Sequence, residues 1–216
     1  SDVYKRQTNG GARGVVITPG ANPPNEKQAH PSHSYGKHLN LCHFGSLASD
    51  RSLSQILLCI GELFSKYPHA RECIRFHAYG APLDPLSIEA RESLGLSDVL
   101  IPHGRLEKDP DTGLSGRERV AIKMHEADVL ILLHGTDEWC AEYIPSKFYE
   151  YLWVPRPIWA ITHRNAQLDK MLLDRLCYLS HSDSPESIKM TLEKIWLDWN
   201  EKNLLIPKYA PISVEE

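Results

Sequence analysis

The chain has 216 residues, 42% hydrophobic and 24% charged, a balance that suits one packed domain and excludes both a disordered chain and two full catalytic domains. Its formal net charge is -4, with lysines and arginines scattered, so no basic stripe exists to neutralise a phosphate backbone and nucleic acid is excluded as a partner. No apolar run approaches the roughly 20 residues that cross a bilayer, and the start, SDVYKRQTNG, lacks a charged-then-apolar signal. The expectation is a cytosolic protein without an integral membrane segment. The first residue is Ser1, which reads as the start of a fragment or processed product. The five cysteines contain no C-x-x-C pair and read as buried, reduced thiols.

Residues 1–38 are rich in Gly, Pro, Asn and His and read as an incoming linker, in which His30, His33 and His38 are solvated rather than metal ligands. From residue 39 the texture changes. An apolar strand over 39–44 is closed by Gly45, and apolar positions 53, 56, 57, 60, 63 and 64 repeat at helical spacing through 53–67. A second strand, 74–79, ends at Gly80; a helix over 86–94 stops at Gly95; a third strand, 99–101, is closed by Pro102, His103 and Gly104. After a polar loop, 107–116, come a helix over 117–127 and a nearly pure apolar strand over 128–133, the pattern of a strand covered on both faces. A helix over 146–153, a strand over 157–161, a helix over 167–173 and a strand over 176–179 follow, then an amphipathic helix over 187–199 with Ile188, Leu192, Ile195, Trp196 and Trp199 on one face. This alternation predicts an α/β fold: a doubly wound, Rossmann-like, mostly parallel six-stranded sheet over residues 39–203, with a tail over 204–216.

In such sheets ligands bind beyond the carboxyl ends of the strands, which selects the loops at 45–51, 80–85, 103–111, 134–147 and 162–165. The fourth carries the most chemistry. Glu142 and Glu150 bracket a helix start at Pro145–Ser146, with Ser146 the expected N-cap. Backbone N–H groups there, with Lys147 beside them, would attract an anion, while the acids accept hydrogen bonds from hydroxyls. By spacing alone the two acids also fit a solvated helix face. Asp109–Pro110–Asp111 reads as turn chemistry rather than a metal site, and Gly10, Gly11 and Gly14 make no dinucleotide fingerprint. His134 and His163 end strands at the ligand edge and read as structural histidines, with a sugar or phosphate contact as the alternative; Trp139 and Trp153 read as core or interface residues.

The stretch Glu142, Tyr143, Ile144, Pro145, Ser146, Lys147, Glu150, Tyr151, Leu152, followed by Pro157–Ile158, resembles the signature of retaining glycosyltransferases with the GT-B fold, the family 4 type. The likeness extends from about residue 16 to about residue 203: ITPGANPP at 17–24 is similar to the segment that crosses from the acceptor domain, LNLCHFGSLASDR at 39–51 to the first strand and Gly loop of the donor domain, and 127–133 to the strand entering the acidic loop. The resemblance implies that this is the C-terminal, nucleotide-sugar-binding domain, with residues 1–38 the end of a missing N-terminal acceptor domain. It implies that Glu150 binds ribose hydroxyls, Glu142 faces the donor sugar near its reacting carbon, and Gly45 lets the backbone approach the diphosphate. Arg51 would neutralise the leaving phosphate, and Leu106 and Ile144 would frame the base. Where the family often has Arg, this chain has Ser46, which shifts the diphosphate onto Arg51, Lys147 and the backbone around Pro145 and Ser146. The implied reaction is transfer of a hexosyl group from a nucleotide-diphosphate sugar, the substrate, to an acceptor, with retention and without cofactor or metal. The isolated fragment would be inactive, and the full-length enzyme peripheral to the membrane. A non-catalytic nucleotide-binding module and a dinucleotide-binding Rossmann domain remain the alternatives.

Overall fold

The structure, a computed structural model, describes residues 34–207. The expectations for Gly10, Gly11, Gly14, His30, His33, the 17–24 segment and most of the 204–216 tail lie outside the described residues.

Six strands, β1 (Leu39–Gly45), β2 (Ile74–Gly80), β3 (Leu100–Gly104), β4 (Val129–Leu133), β5 (Ile158–Thr162) and β6 (Tyr178–His181), form one sheet in the order β3-β2-β1-β4-β5-β6. Every neighbouring pair is parallel, so the sheet is parallel throughout rather than mostly so. The helices are α1 (Ser54–Lys66), α2 (Ala70–Cys73), α3 (Pro85–Ser93), α4 (Gly116–Glu126), α5 (Ser146–Tyr151), α6 (Ala166–Leu173) and α7 (Pro185–Asn200), with a 3-10 turn at Glu138–Ala141.

Alternation along the strands sends side chains to two cores. Val129, Ile131 and Leu133 of β4 face one core, with Ile56, Leu57 and Ile60 of α1 and Ile188, Leu192, Ile195 and Trp196 of α7. Leu130 and Leu132 face the other, with Met124 of α4, Phe148 and Tyr151 of α5, and Leu168 and Leu172 of α6. All five residues of β4 and of β5 are buried, as strands covered on both faces must be. Cys42, Cys59, Cys140 and Cys177 are buried free thiols and Cys73 is a half-buried one.

Two boundaries moved for backbone reasons. Leu176 adopts φ 57 in the turn that ends α6, so β6 begins at Tyr178 rather than at 176. β3 continues through Pro102, His103 and Gly104, which were expected to close it. Proline is tolerated there because β3 is an edge strand, and the register with β2 slips between Ala78 and Tyr79, leaving His103 as the extra residue of a bulge. Beyond position 203 the chain still packs on the domain: Leu204 joins the core and its N–H donates 3.0 Å to the Tyr35 hydroxyl.

Capping fixes where the helices begin. Ser115 and Glu118 form a reciprocal capping box at α4, Asp84 accepts from Ser87 N–H at α3, and Asn165 from Leu168 N–H at α6. Ser115→Ala is expected to lower unfolding free energy by about 0.5–2 kcal/mol, read by urea melts; an unchanged midpoint would mean that the box adds nothing.

Candidate functional site

Strand order reverses between β1 and β4, and the carboxyl ends of the two strands part there. They pair from Leu41↔Val129 to His43↔Ile131. Beyond that point the Tyr151 hydroxyl steps in, accepting from Phe44 N–H at 3.3 Å and donating to the Ile131 carbonyl at 3.2 Å. The last residue of α5 thus pins that helix to the mouth of the switch point. Full burial raises the Tyr151 pKa, so the hydroxyl stays neutral in that role.

The entrance to α5 differs from the expected one. Pro145, with ψ 135, occupies the N-cap and no side chain caps the helix, so Ser146 is the first helical residue and an exposed one. Lys147 and Glu150 share one helical face and their side chains meet, Nζ to Oε2 at 2.6 Å, with both partly open to solvent. Such an exposed i,i+3 pair is held by only ~0.3–0.5 kcal/mol, so either partner exchanges readily onto a ligand.

Both line a cavity of about 460 Å³ with Phe44, Gly45, Tyr79, Gly80, Arg105, Leu106, Glu107 and Arg117. Its floor is backbone. Gly45 and Gly80 are register partners at the ends of β1 and β2; Gly80 has φ +128, and a Cβ there would collide with the Gly45 carbonyl oxygen. Gly116, which opens α4, allows the Leu106 carbonyl to approach just as closely, and that contact brings the 105–107 segment over the cavity. One wall is aromatic: Phe44 and Tyr79 stack at 4.8 Å and 6°, and Tyr79 and the bulged His103 at 4.3 Å and 9°.

His103 Nε2 lies 2.9 Å from His77 Nδ1, a distance at which the two rings share one proton. Burial, with help from His103 and Lys123, pulls the His77 pKa down to about 4, and burial takes the His43 pKa to about 4 as well. In the unfolded chain both titrate near 6.5. Between those values the unfolded state binds protons that the folded state refuses, so stability falls as pH drops from 6.5 to 4. Thermal midpoints measured across that window should decline steadily; a flat profile would contradict neutral rings in the fold.

The sequence-derived candidates do not all converge. Gly45, Leu106, Lys147 and Glu150 line the 460 Å³ cavity. Arg51 lines a second cavity instead, because residues 48–51 fold into a tight turn in which Ala48 and Arg51 exchange backbone hydrogen bonds of 2.9 and 3.2 Å. Ser46 and Glu142 are exposed, and Ile144 and Pro145 are half-buried, with Ile144 packed against the second core. Glu142 lies at the end of the 3-10 turn, its N–H on the Trp139 carbonyl. Trp139, expected in a core or interface, is 72% exposed, and Trp153 is half-buried. Asp109 accepts from the N–H groups of Asp111 and Thr112, so its carboxylate is occupied by the turn. His163 holds Ser182 at 2.8 Å.

Three residues that shape the site had been given no role, although Tyr151 stands in the signature stretch. Tyr79 supplies the aromatic wall and Tyr151 the pin. Asn165 donates to the Cys140 and Tyr143 carbonyls at 2.8 and 2.9 Å, fastening the acidic loop to the start of α6. The sequence signal for Asn165 was a capping residue type two residues before the helical pattern at 167–173.

No protein-family model matches the chain, and no curated protein matches it. Solved structures do. HepE from Anabaena, in complex with UDP and glucose, aligns over 78% of this chain and 41% of its own at 10% identity, TM-score 0.53. The pneumococcal O-GlcNAc transferase GtfA, in complex with UDP and GlcNAc, aligns over 78% of this chain and 30% of its own at 16% identity, TM-score 0.53. WaaG, a glycosyltransferase involved in lipopolysaccharide biosynthesis, aligns over 77% of this chain and 42% of its own at 17% identity, TM-score 0.53. At these identities the likeness is one of fold: a Rossmann-like α/β domain of the kind found in GT-B glycosyltransferases. The chain spans less than half the length of each of these proteins. Among the described residues no helix is long and apolar enough to cross a membrane.

Proposed function

We propose that the chain is the donor-binding domain of a glycosyltransferase that takes its sugar from a nucleotide-diphosphate sugar. The observation that supports this best is the company Glu150 keeps: a carboxylate, an ammonium and a side-chain-free backbone floor in one cavity beyond the switch point. These three groups suit the three parts of a nucleoside diphosphate. Glu150 accepts from the ribose hydroxyls, Lys147 turns from Glu150 to the diphosphate, and the Gly45–Gly80 floor lets the diphosphate lie against backbone. Leu106, half-buried at the edge of the same cavity, would frame the base.

Catalysis by such a domain is positioning together with stabilisation of the departing diphosphate. In this reading the transferred group is a hexosyl unit and the configuration is retained; Glu142 and Arg51, neither of which lines the Glu150 cavity, would have to approach the reacting carbon and the leaving phosphate from outside it. No cofactor is proposed. Residues 39–203 form the donor domain, and residues 1–38 lead in from an acceptor domain that would form the other half of the cleft. The fragment alone then binds donor and turns over little or nothing. The proposed location is cytosolic, at a membrane surface in the full-length enzyme.

Calorimetry with UDP, GDP and NAD tests the reading. A nucleoside diphosphate should bind, and Glu150→Ala should weaken it by about 1–3 kcal/mol. Preference for NAD, or no binding of either diphosphate, would replace this reading with a dinucleotide domain or a non-binding one.

A further inference from the structure

His77 and His103 have no part in the donor site, and a specific arrangement brings them together. His77 lies on β2 and His103 is the extra residue of the β3 bulge. That irregularity of the edge strand sets His77 Nδ1 and His103 Nε2 2.9 Å apart. His103 is exposed and His77 half-buried, so the contact lies at the surface.

The network behind His77 fixes its tautomer. Asp128 accepts from the Asn40 backbone N–H at 2.7 Å and from Asn40 Nδ2 at 3.0 Å, and the His38 carbonyl accepts from the same Nδ2 at 3.4 Å. A carboxylate and a peptide carbonyl only accept, so the amide stands one way round and its Oδ1 faces His77 Nε2 at 3.3 Å. Nε2 therefore carries the hydrogen of His77, and Nδ1 presents a lone pair toward His103. An imidazole whose far N–H is held by a carbonyl, itself anchored by a carboxylate, has the second layer of contacts that orients histidine ligands on metals. Burial lowers the pKa of both rings, so both are neutral at pH 7, as metal ligation requires.

The spacing selects the ion. With bonds of about 2.0–2.1 Å from metal to imidazole nitrogen, donors 2.9 Å apart subtend an angle of about 90° at the metal. A tetrahedral ion would need them about 3.3–3.4 Å apart. A right-angled bite suits square-planar or tetragonal copper(II) or nickel(II), and the affinity order of divalent ions puts copper first. We propose that His77 Nδ1 and His103 Nε2 form an open chelate for one copper(II) ion.

Among the described residues no group of three His, Cys, Asp or Glu side chains could hold a metal, so water completes the shell and the ion stays exchangeable. The ion takes the place of the hydrogen between the rings, beside the N–N line, a position that rotation of the exposed His103 allows. The hydrogen on His103 Nε2 passes to its Nδ1 through solvent, so no proton is lost overall. Lys123 and Arg75 are the cations that reach His77; Lys123 pairs with Glu126 at 2.6 Å, which leaves Arg75 as the opposing charge. Because His103 stacks on Tyr79, which lines the Glu150 cavity, a bound ion would also steady that wall. The site does not rest on the donor reading.

Copper(II) chloride titrated into the 216-residue chain and followed by amide NMR tests the proposal, since the paramagnetic ion broadens signals around it. In the first equivalent, broadening is expected at residues 76–78 and 102–104, with saturable binding on the order of micromolar. The EPR spectrum should carry hyperfine lines from two nitrogen ligands. His77→Gln and His103→Gln should each weaken binding about tenfold or more and leave one nitrogen. His103 is exposed on an edge strand, so its variant keeps the fold and decides the matter even if the His77 variant does not. Asn40→Ala, which releases the His77 tautomer, should weaken binding about 10–100-fold. Copper that collects at other histidines while 76–78 and 102–104 stay sharp would overturn the proposal. Broadening there that is unchanged in His103→Gln, or zinc binding tighter than copper, would overturn it as well.

Discussion

Gly80→Ala is expected to destabilise the domain and remove nucleotide binding together. Gly80 has φ +128, and its Cβ would fall onto the Gly45 carbonyl oxygen, a backbone atom with no rotamer to escape into. Holding a non-glycine residue in such a region costs about 1–3 kcal/mol before the collision is counted. Relieving the collision means moving apart the ends of β1 and β2, which form the cavity floor. Gly95→Ala is the control: φ is +60 with nothing within 4 Å of the added Cβ, so only the left-handed backbone cost of about 1–2 kcal/mol applies. Urea melts and nucleotide calorimetry on both variants should separate them, Gly80→Ala losing more stability and binding, Gly95→Ala keeping its binding. Equal losses would mean that the close approach is unimportant.

Trp159→Ala carries the largest expected stability effect. The residue is 0% exposed on β5, packed in the core that joins the sheet to α1 and α7, and its Nε1–H donates to Ser180 Oγ at 2.9 Å. Ser180 also donates to the Ser187 carbonyl at 3.2 Å, so truncation does not strand its hydroxyl. The cost is the emptied volume, about 3–5 kcal/mol for a large aromatic, a sizeable part of the ~5–15 kcal/mol that domains possess. Trp159→Phe should recover more than half of it. A loss below about 1 kcal/mol would imply that the core collapses into the space.

The order of strands and helices was legible because it is written in local periodicity. The runs at 39–44, 74–79, 128–133 and 157–161 and the helical spacing at 53–67 are nearest-neighbour information, and the structure places an element at each. The 3-10 turn at Glu138–Ala141 and α2 at Ala70–Cys73 are four residues each, too short to show a period. At α5 Ser146 was the expected cap, but the extended ψ of Pro145 puts the cap one residue earlier.

The site divides in the same way. Lys147 and Glu150 are three apart on one helix, so their meeting follows from helical geometry. Gly45 and Gly80 come together through strand register, which a parallel fold implies once strand order is known. Arg51 could not be placed from sequence, because its direction depends on the 48–51 turn; Ser49 and Asp50 suit a turn but do not fix which way the next side chain points. Asn165 and Tyr151 act over 25 and 107 positions in the chain, a range at which pattern reading has no purchase.

Amide chemical-shift mapping with a nucleoside diphosphate locates the bound ligand without assuming activity. The largest shifts are expected at Gly45, Gly80, Leu106 and residues 146–150, and they should be lost in Glu150→Ala. Shifts confined to other faces of the sheet, or a pattern identical in wild type and Glu150→Ala, would contradict a donor site in the Glu150 cavity.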